Sequence, residues 1–129
     1  MRYYVDSAPL IYLIEQVQPY AAAVKTELAL SGSSLASSEL TRLECRVKPI
    51  REGDAALLQD FDDYFARSID EIVQLTRTVM DQATEIRAEF NFKTPDSIHL
   101  AAALAAKCDI FLTNDHRLTA FTGIAIQVL

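Results

Sequence analysis

Four carboxylates in this chain stand where surface decoration explains them least: Asp6, Glu44, Asp96 and Asp115. Asp6 ends the apolar run Tyr3, Tyr4, Val5. Asp115 follows Ile110, Phe111 and Leu112, with Thr113 and Asn114 between. Asp96 comes directly after Pro95, and Glu44 lies inside an amphipathic stretch. Carboxylates this far apart matter together only if the fold gathers them. A gathered set with no Cys/His cluster beside it is an oxygen-donor site, suited to Mg2+ or Mn2+ and not to structural zinc. Such a site makes a water more acidic and stabilises the charge of an in-line phosphoryl displacement.

The elements that must position these acids follow from periodicity. Residues 2–5 read as a short buried strand and 8–17 as a helix, with Leu10, Leu13, Ile14 and Val17 at helical spacing and Ser7 as its N-cap. A second helix spans about 19–31 and ends near Gly32. Residues 34–37 form a strand. Ser38 then caps a helix over 39–51, with Leu40, Leu43 and Val47 on one side and Gly53 as its breaker. Leu57, Leu58, Phe61 and Phe65 mark another helix, and 68–71 a short strand. A long helix over 72–90 carries Ile72, Leu75, Val79, Ala83, Ile86 and Phe90 on one stripe. Thr94 as N-cap, Pro95 at the first helical position and Asp96 in the first turn start an alanine-rich helix running to Lys107. Strands at 109–113 and 125–128 complete the chain. Alternating strands and helices predict an α/β three-layer α/β/α sandwich on a mostly parallel sheet. In such sheets ligands bind beyond the carboxyl ends of the strands, where Asp6 and Asp115 fall.

Each acid also has a structural reading. Asp6 reads equally as an N-cap for the helix that follows. Asp96 reads as a partner of the helix dipole, and Asp115 as an Asx turn. Glu44 follows Leu40 by four residues and precedes Val47 by three, so it shares the side those residues are expected to bury. A charge there needs a basic partner or a metal. Arg42 and Arg46 flank it in sequence, but each is two residues away, about 200° around the helix.

Composition narrows the classes. A chain of 129 residues, half of them hydrophobic, suggests one domain over 1–129 with a real core. No apolar run approaches the roughly 20 residues of a membrane span, and Asp6 interrupts any leader-like apolar segment, which points to a cytoplasmic protein without a membrane partner. Cys45 and Cys108 lack metal-type spacing and read as reduced thiols, Cys45 half-buried. The net charge of −6 argues against a general nucleic-acid coat. Without the four acids the balance is only −2. A cation-filled cleft that binds nucleic acid is therefore compatible with it.

Other chemistry-bearing residues have plainer readings. His99, three residues after Asp96, reads as a core histidine able to reach the site, and His116 as surface. Asp60, Asp62 and Asp63 flank Phe61 and Tyr64 as a solvated helix face. Tyr3, Tyr4 and Tyr12 read as core or dimer packing. Arg42, Arg46, Lys48 and Arg51 form a basic stretch that serves either as phosphate contacts or as a solvated flank.

The segments YYVDSAPLIYL (3–13), SSELTRLEC (37–45) and TPDSIHLAAALAAKCDIFLTND (94–115), taken in this order, resemble the PIN-domain ribonucleases, and most closely the VapC-like toxins of type II toxin–antitoxin modules. The resemblance covers nearly the whole chain, and PDSIHLAAA followed by a strand and TNDHRL is its most specific part. It implies a five-stranded parallel sheet with four acids gathered at one end around Mg2+ or Mn2+. Those acids map to Asp6, Glu44, Asp96 and Asp115, with Glu39 as a rival for the second position. It also implies an RNA substrate, a homodimer, and a cognate antitoxin whose C-terminal segment wraps the toxin and blocks its site.

The resulting expectation is a Mg2+-dependent endoribonuclease, a hydrolase of phosphodiester bonds. Asp6 and Asp96 are metal ligands, directly or through water. Asp115 is a further ligand or positions water, and Glu44 orients or deprotonates the attacking water. Arg42 and Arg46 are candidates for substrate contact. Two other classes compete. A non-catalytic PIN-like partner-binding module would have no chemical need for all four acids. An aspartyl-phosphate phosphatase needs a second Asp two residues after the nucleophile, where this chain has Ala8.

Overall fold

The structure, a computed structural model, describes residues 1–29 and 32–129. Five strands, β1 (Arg2–Val5), β2 (Ser34–Ser38), β3 (Glu71–Val73), β4 (Ile110–Thr113) and β5 (Ala125–Val128), form one sheet in the order β3-β2-β1-β4-β5. Every neighbouring pair is parallel. The helices are α1 (Ser7–Ile14), α2 (Tyr20–Leu28), α3 (Glu39–Glu52), α4 (Ala55–Arg67), α5 (Arg77–Phe90) and α6 (Thr94–Ala105), with a 3-10 turn at His116–Ala120. None is long and apolar enough to cross a membrane.

Both faces of the sheet are covered, so β1 and β4 bury consecutive residues and do not alternate. Side chains of β1 divide between two cores. Tyr3 and Val5 pack with Leu10, Val24, Cys45, Phe61 and Phe65 on one face, whereas Tyr4 joins Val79, Ala83, Leu100 and Phe111 on the other. Small residues Ala101, Ala102 and Ala103, all buried, let α6 approach the sheet closely. This is the three-layer sandwich expected from the sequence. The chain builds outward through β1, β2 and β3, then returns to place β4 on the other side of β1. That reversal leaves a crevice between the carboxyl ends of β1 and β4.

Several boundaries differ from the sequence reading. The 72–90 helix begins only at Arg77, because Ile72 and Val73 belong to β3, paired with Ser37 and Ser38. The predicted 68–71 strand is this β3, displaced to Glu71–Val73. Helix α1 stops at Ile14, and Val17 lies beyond it, 37% exposed. Thr94 is already helical and Lys93 occupies the cap position. The predicted end of the second helix at 30–31 falls outside the described residues. Ser38 caps α3 as expected, in a reciprocal pair with Thr41, and Gly53 ends it with φ +66°, a conformation that suits glycine.

Candidate active site

Strand β1 delivers Asp6 to the crevice. Its N–H extends the β1–β4 pairing by donating to the Leu112 carbonyl at 3.0 Å. Asp6 is also the N-cap of α1, its Oδ1 accepting from Ser7 N–H at 2.9 Å, so the capping reading holds. Ser7 is not the cap. Its hydroxyl points elsewhere, donating to Glu44 Oε1 at 2.6 Å.

Strand β4 delivers the second acid. The buried Thr113 hydroxyl donates to Asp6 Oδ2 at 2.8 Å and accepts from Asp115 N–H at 3.1 Å. Arg117 grips Asp115 from the far side, with Nε donating to Oδ1 at 3.0 Å and Nη2 to Oδ2 at 2.7 Å. Those bonds, with the Arg117 charge, hold the Asp115 carboxyl below the usual range. Asp96 reaches the same edge from the first turn of α6. Its carboxyl is raised above the usual range, first by burial and then by the negative charges of Asp6 and Asp115. The charges of His99 and Arg117 act in the opposite direction and offset part of that effect.

Glu44 is present for a different reason than its sequence neighbours suggested. Leu43 and Val47 are 59% and 42% exposed, and the buried side of α3 is Thr41, Cys45 and Pro49. Glu44 sits at the margin of that side, one-third exposed, where Oε1 meets both Ser7 Oγ and His99 Nε2 at 2.6 Å. Burial alone would raise its carboxyl, but the bonds from His99 and Ser7 hold it below the usual range. Glu39, the rival, pairs instead with Arg42 at 3.2 Å.

His99 is the residue the sequence reading placed least well. It is buried, as expected of a core histidine, yet both ring nitrogens are engaged. Nδ1 lies 2.7 Å from the Tyr4 hydroxyl and Nε2 2.6 Å from Glu44, with Asp6 Oδ1 at 3.6 Å. Burial disfavours its charged form, but Glu44 and the charges of Asp6 and Asp96 outweigh that and raise its pKa. Tyr4, read as packing, is also a polar member of the site. Its hydroxyl reaches Ser38 and Thr41 as well as His99. The signal available in sequence was the spacing of His99, one helical turn after Asp96.

Arg42 and Arg46 turn toward α4, where Asp62 lies 4.0 Å from Arg42 and 2.9 Å from Arg46. None of the four acids is among their partners. Asp62 is therefore an ion-pair partner and not only a solvated face. Cys45 is fully buried, its thiol pushed up to about 12 by burial and by the charges of Glu44 and Asp6. It has no thiolate chemistry near neutral pH.

The donor chemistry, carboxylate oxygens at a parallel sheet's C-terminal edge, suits a hard divalent cation. Among the described residues no three acidic, histidine or cysteine side chains converge closely enough to cage an ion. An ion held by one or two carboxylates with water completing its shell is the arrangement Mg2+ favours.

The fold is similar to that of proteins from toxin–antitoxin systems. It matches a toxin–antitoxin complex from Klebsiella pneumoniae with TM-score 0.78 and 19% identity over 95% of each chain. It matches VapBC2 of Rickettsia felis, solved with a promoter DNA fragment, with TM-score 0.77 and 15% identity over 99% of this chain and 98% of that one. It also matches VapC20 of Mycobacterium tuberculosis, a sarcin–ricin-loop-cleaving toxin, with TM-score 0.70 and 14% identity over 94% and 90%. No curated protein matches the chain by sequence. The model of the PIN domain matches residues 3–124, nearly the whole chain, and the protein belongs to the PIN-domain family.

Proposed function

We propose that this protein is a Mg2+- or Mn2+-dependent endoribonuclease, the toxin of a toxin–antitoxin module. What supports the reading is that Asp6 and Asp115 stand at the carboxyl ends of β1 and β4, tied through Thr113, with Asp96 in the first turn of α6 and Glu44 bonded to Ser7 and His99. Asp6, Asp96 and Asp115 would hold the cation, which when bound supplies an acidified water and neutralises charge on a phosphodiester. Glu44 orients or deprotonates the attacking water. Arg42 and Arg46, each about one-third exposed, are phosphate contacts in this reading. Exposed pairs such as theirs with Asp62 are worth only about 0.2–1 kcal/mol, so an RNA backbone can draw them away. The partners are RNA, a cognate antitoxin and a second copy of the chain, acting in the cytoplasm.

The test is cleavage of cellular RNA by wild type, Asp6→Asn and Asp96→Asn with Mg2+ or Mn2+. Both variants are expected to fold, with kcat reduced by about 100-fold or more. Undiminished cleavage by both would overturn the assignment.

One observation favours a second reading, a partner-binding module without catalysis. Asp115 is already gripped by Arg117, and the described acids do not form a ready-made cage. Thermal denaturation with Mn2+ separates the two: a rise in midpoint supports the nuclease, no rise the module.

A further inference from the structure

A line of polar side chains runs from the α3 cap to the acidic crevice through the middle of the molecule. Tyr4 OH donates to Ser38 Oγ at 2.9 Å and lies 3.2 Å from Thr41 Oγ1. It meets His99 Nδ1 at 2.7 Å, and His99 Nε2 meets Glu44 Oε1 at 2.6 Å. Ser7 Oγ closes the line on the same carboxylate oxygen at 2.6 Å. Tyr4, Ser38, Thr41 and His99 are at most 2% exposed, whereas the Glu44 side chain is 33% exposed and opens on the crevice.

We infer that His99 is a positioning residue of the site, holding the Glu44 carboxylate in a fixed place beside Asp6. The assignment rests on the proposed nuclease reading for its kinetic consequence, but on geometry for the contact itself. An ionised carboxylate can only accept, so Nε2 must carry its proton toward Glu44. Nδ1 is held by a tyrosine that cannot swing away, because its ring stacks on Phe111 at 5.1 Å and 9°. Tyr4 is fixed in turn by the cap of the helix that bears Glu44. The same α3 thus presents Glu44 and anchors the group that orients it. A buried histidine needs a partner at each ring nitrogen whatever its role; what ties His99 to the site is that Nε2 meets the one-third-exposed carboxylate of Glu44, with Asp6 Oδ1 at 3.6 Å. The arrangement resembles the way outer partners orient acidic ligands in metal sites, where losing one typically lowers activity about 10- to 100-fold.

Two readouts test this. The chain has only two histidines, and His116 is exposed, so ring 15N NMR of metal-free protein isolates His99 readily. Glu44→Gln is expected to shift the His99 Nε2 signal and leave His116 unmoved. An unshifted His99 signal overturns the inference. In RNA cleavage, His99→Ala is expected to lower kcat about 10- to 100-fold with KM nearly unchanged, and His99→Gln, which keeps a donor toward Glu44, to recover most of it. A folded His99→Ala with wild-type kcat overturns the inference, as does a His99→Gln no better than His99→Ala. Where His99→Ala fails to fold, Tyr4→Phe takes its place, and unreduced kcat there has the same force. If wild type cleaves no RNA, the nuclease reading falls and the NMR outcome alone decides whether His99 holds Glu44.

Discussion

The Thr113 hydroxyl donates to Asp6 Oδ2 at 2.8 Å, tying the carboxyl ends of adjacent strands β1 and β4 at the point where the sheet order reverses. Thr113 Oγ1 in turn accepts the N–H of Asp115 at 3.1 Å. One buried side chain thus sets the spacing of two acids that are 109 residues apart in sequence.

Thr113→Val keeps the shape and β-branching but removes the donor. With a charged acceptor left behind, stability is expected to fall by about 1–3 kcal/mol. Urea denaturation measures it. A loss within error of zero would mean that water replaces the hydroxyl without cost and that Thr113 does not set the spacing.

The His99–Glu44 pair makes stability depend on pH in two windows. His99 has its folded pKa above the ordinary 6.5, so its contribution is complete below that value and is lost as pH rises through the folded pKa. Glu44 has its folded pKa below the ordinary 4.5, so its contribution is complete above that value and is lost as pH falls. Thermal midpoints of metal-free protein should therefore decline on both sides of the interval between these limbs. Midpoints of His99→Gln should decline less on the alkaline side. Parallel profiles for the two proteins would remove this pair as the source.

If Asp115 binds the proposed cation, Arg117 competes with it for the same carboxylate. Its side chain is 64% exposed, so the fold should lose little without it. Arg117→Gln is expected to bind Mn2+ several-fold more tightly, equivalent to about 1 kcal/mol of relieved competition. Isothermal titration compares the two proteins. Weaker binding would instead make Arg117 a support that holds Asp115 in its ligating position.

Arg42 and Arg46, as phosphate contacts, should release counterions on binding RNA. The double variant Arg42→Gln/Arg46→Gln is expected to weaken binding of a single-stranded RNA and flatten log Kd against log salt by about 1.4. Fluorescence anisotropy without divalent ions measures both. An unchanged slope would return the two arginines to a structural role with Asp62.

Much of the site was legible locally. An acid that ends an apolar run at a parallel strand's carboxyl end must emerge at the sheet edge, which placed Asp6 and Asp115. A Pro-Asp pair at a helix start brought Asp96 into the first turn. The cap of α3 followed from Ser38 and Gly53. Glu44 was selected for the wrong face. Leu40, Leu43 and Val47 follow helical spacing, yet two of the three are exposed, because the buried side of α3 is lined by Thr41, Cys45 and Pro49. A helix whose inner face is small and polar carries little apolar signal, and Thr41 is tolerated there only because Ser38 and Tyr4 satisfy it.

What the linear pattern could not carry was set by pairings between distant residues. Strand β3 has three residues, and Ile72 also fits the helical stripe that follows it. Only its pairing with β2 makes it a strand. His99 reads as a core histidine until α6 packs on the sheet and brings it against Tyr4 and Glu44, 95 and 55 residues away in sequence. Sequence alone determined the strand–helix alternation, the two-sided core and where Asp6, Asp96 and Asp115 fall along their elements, because local periodicity and chain direction govern these. The tertiary structure decided which hydroxyls and which imidazole hold the acids, because hydrogen bonds across a core depend on distances that no local pattern records.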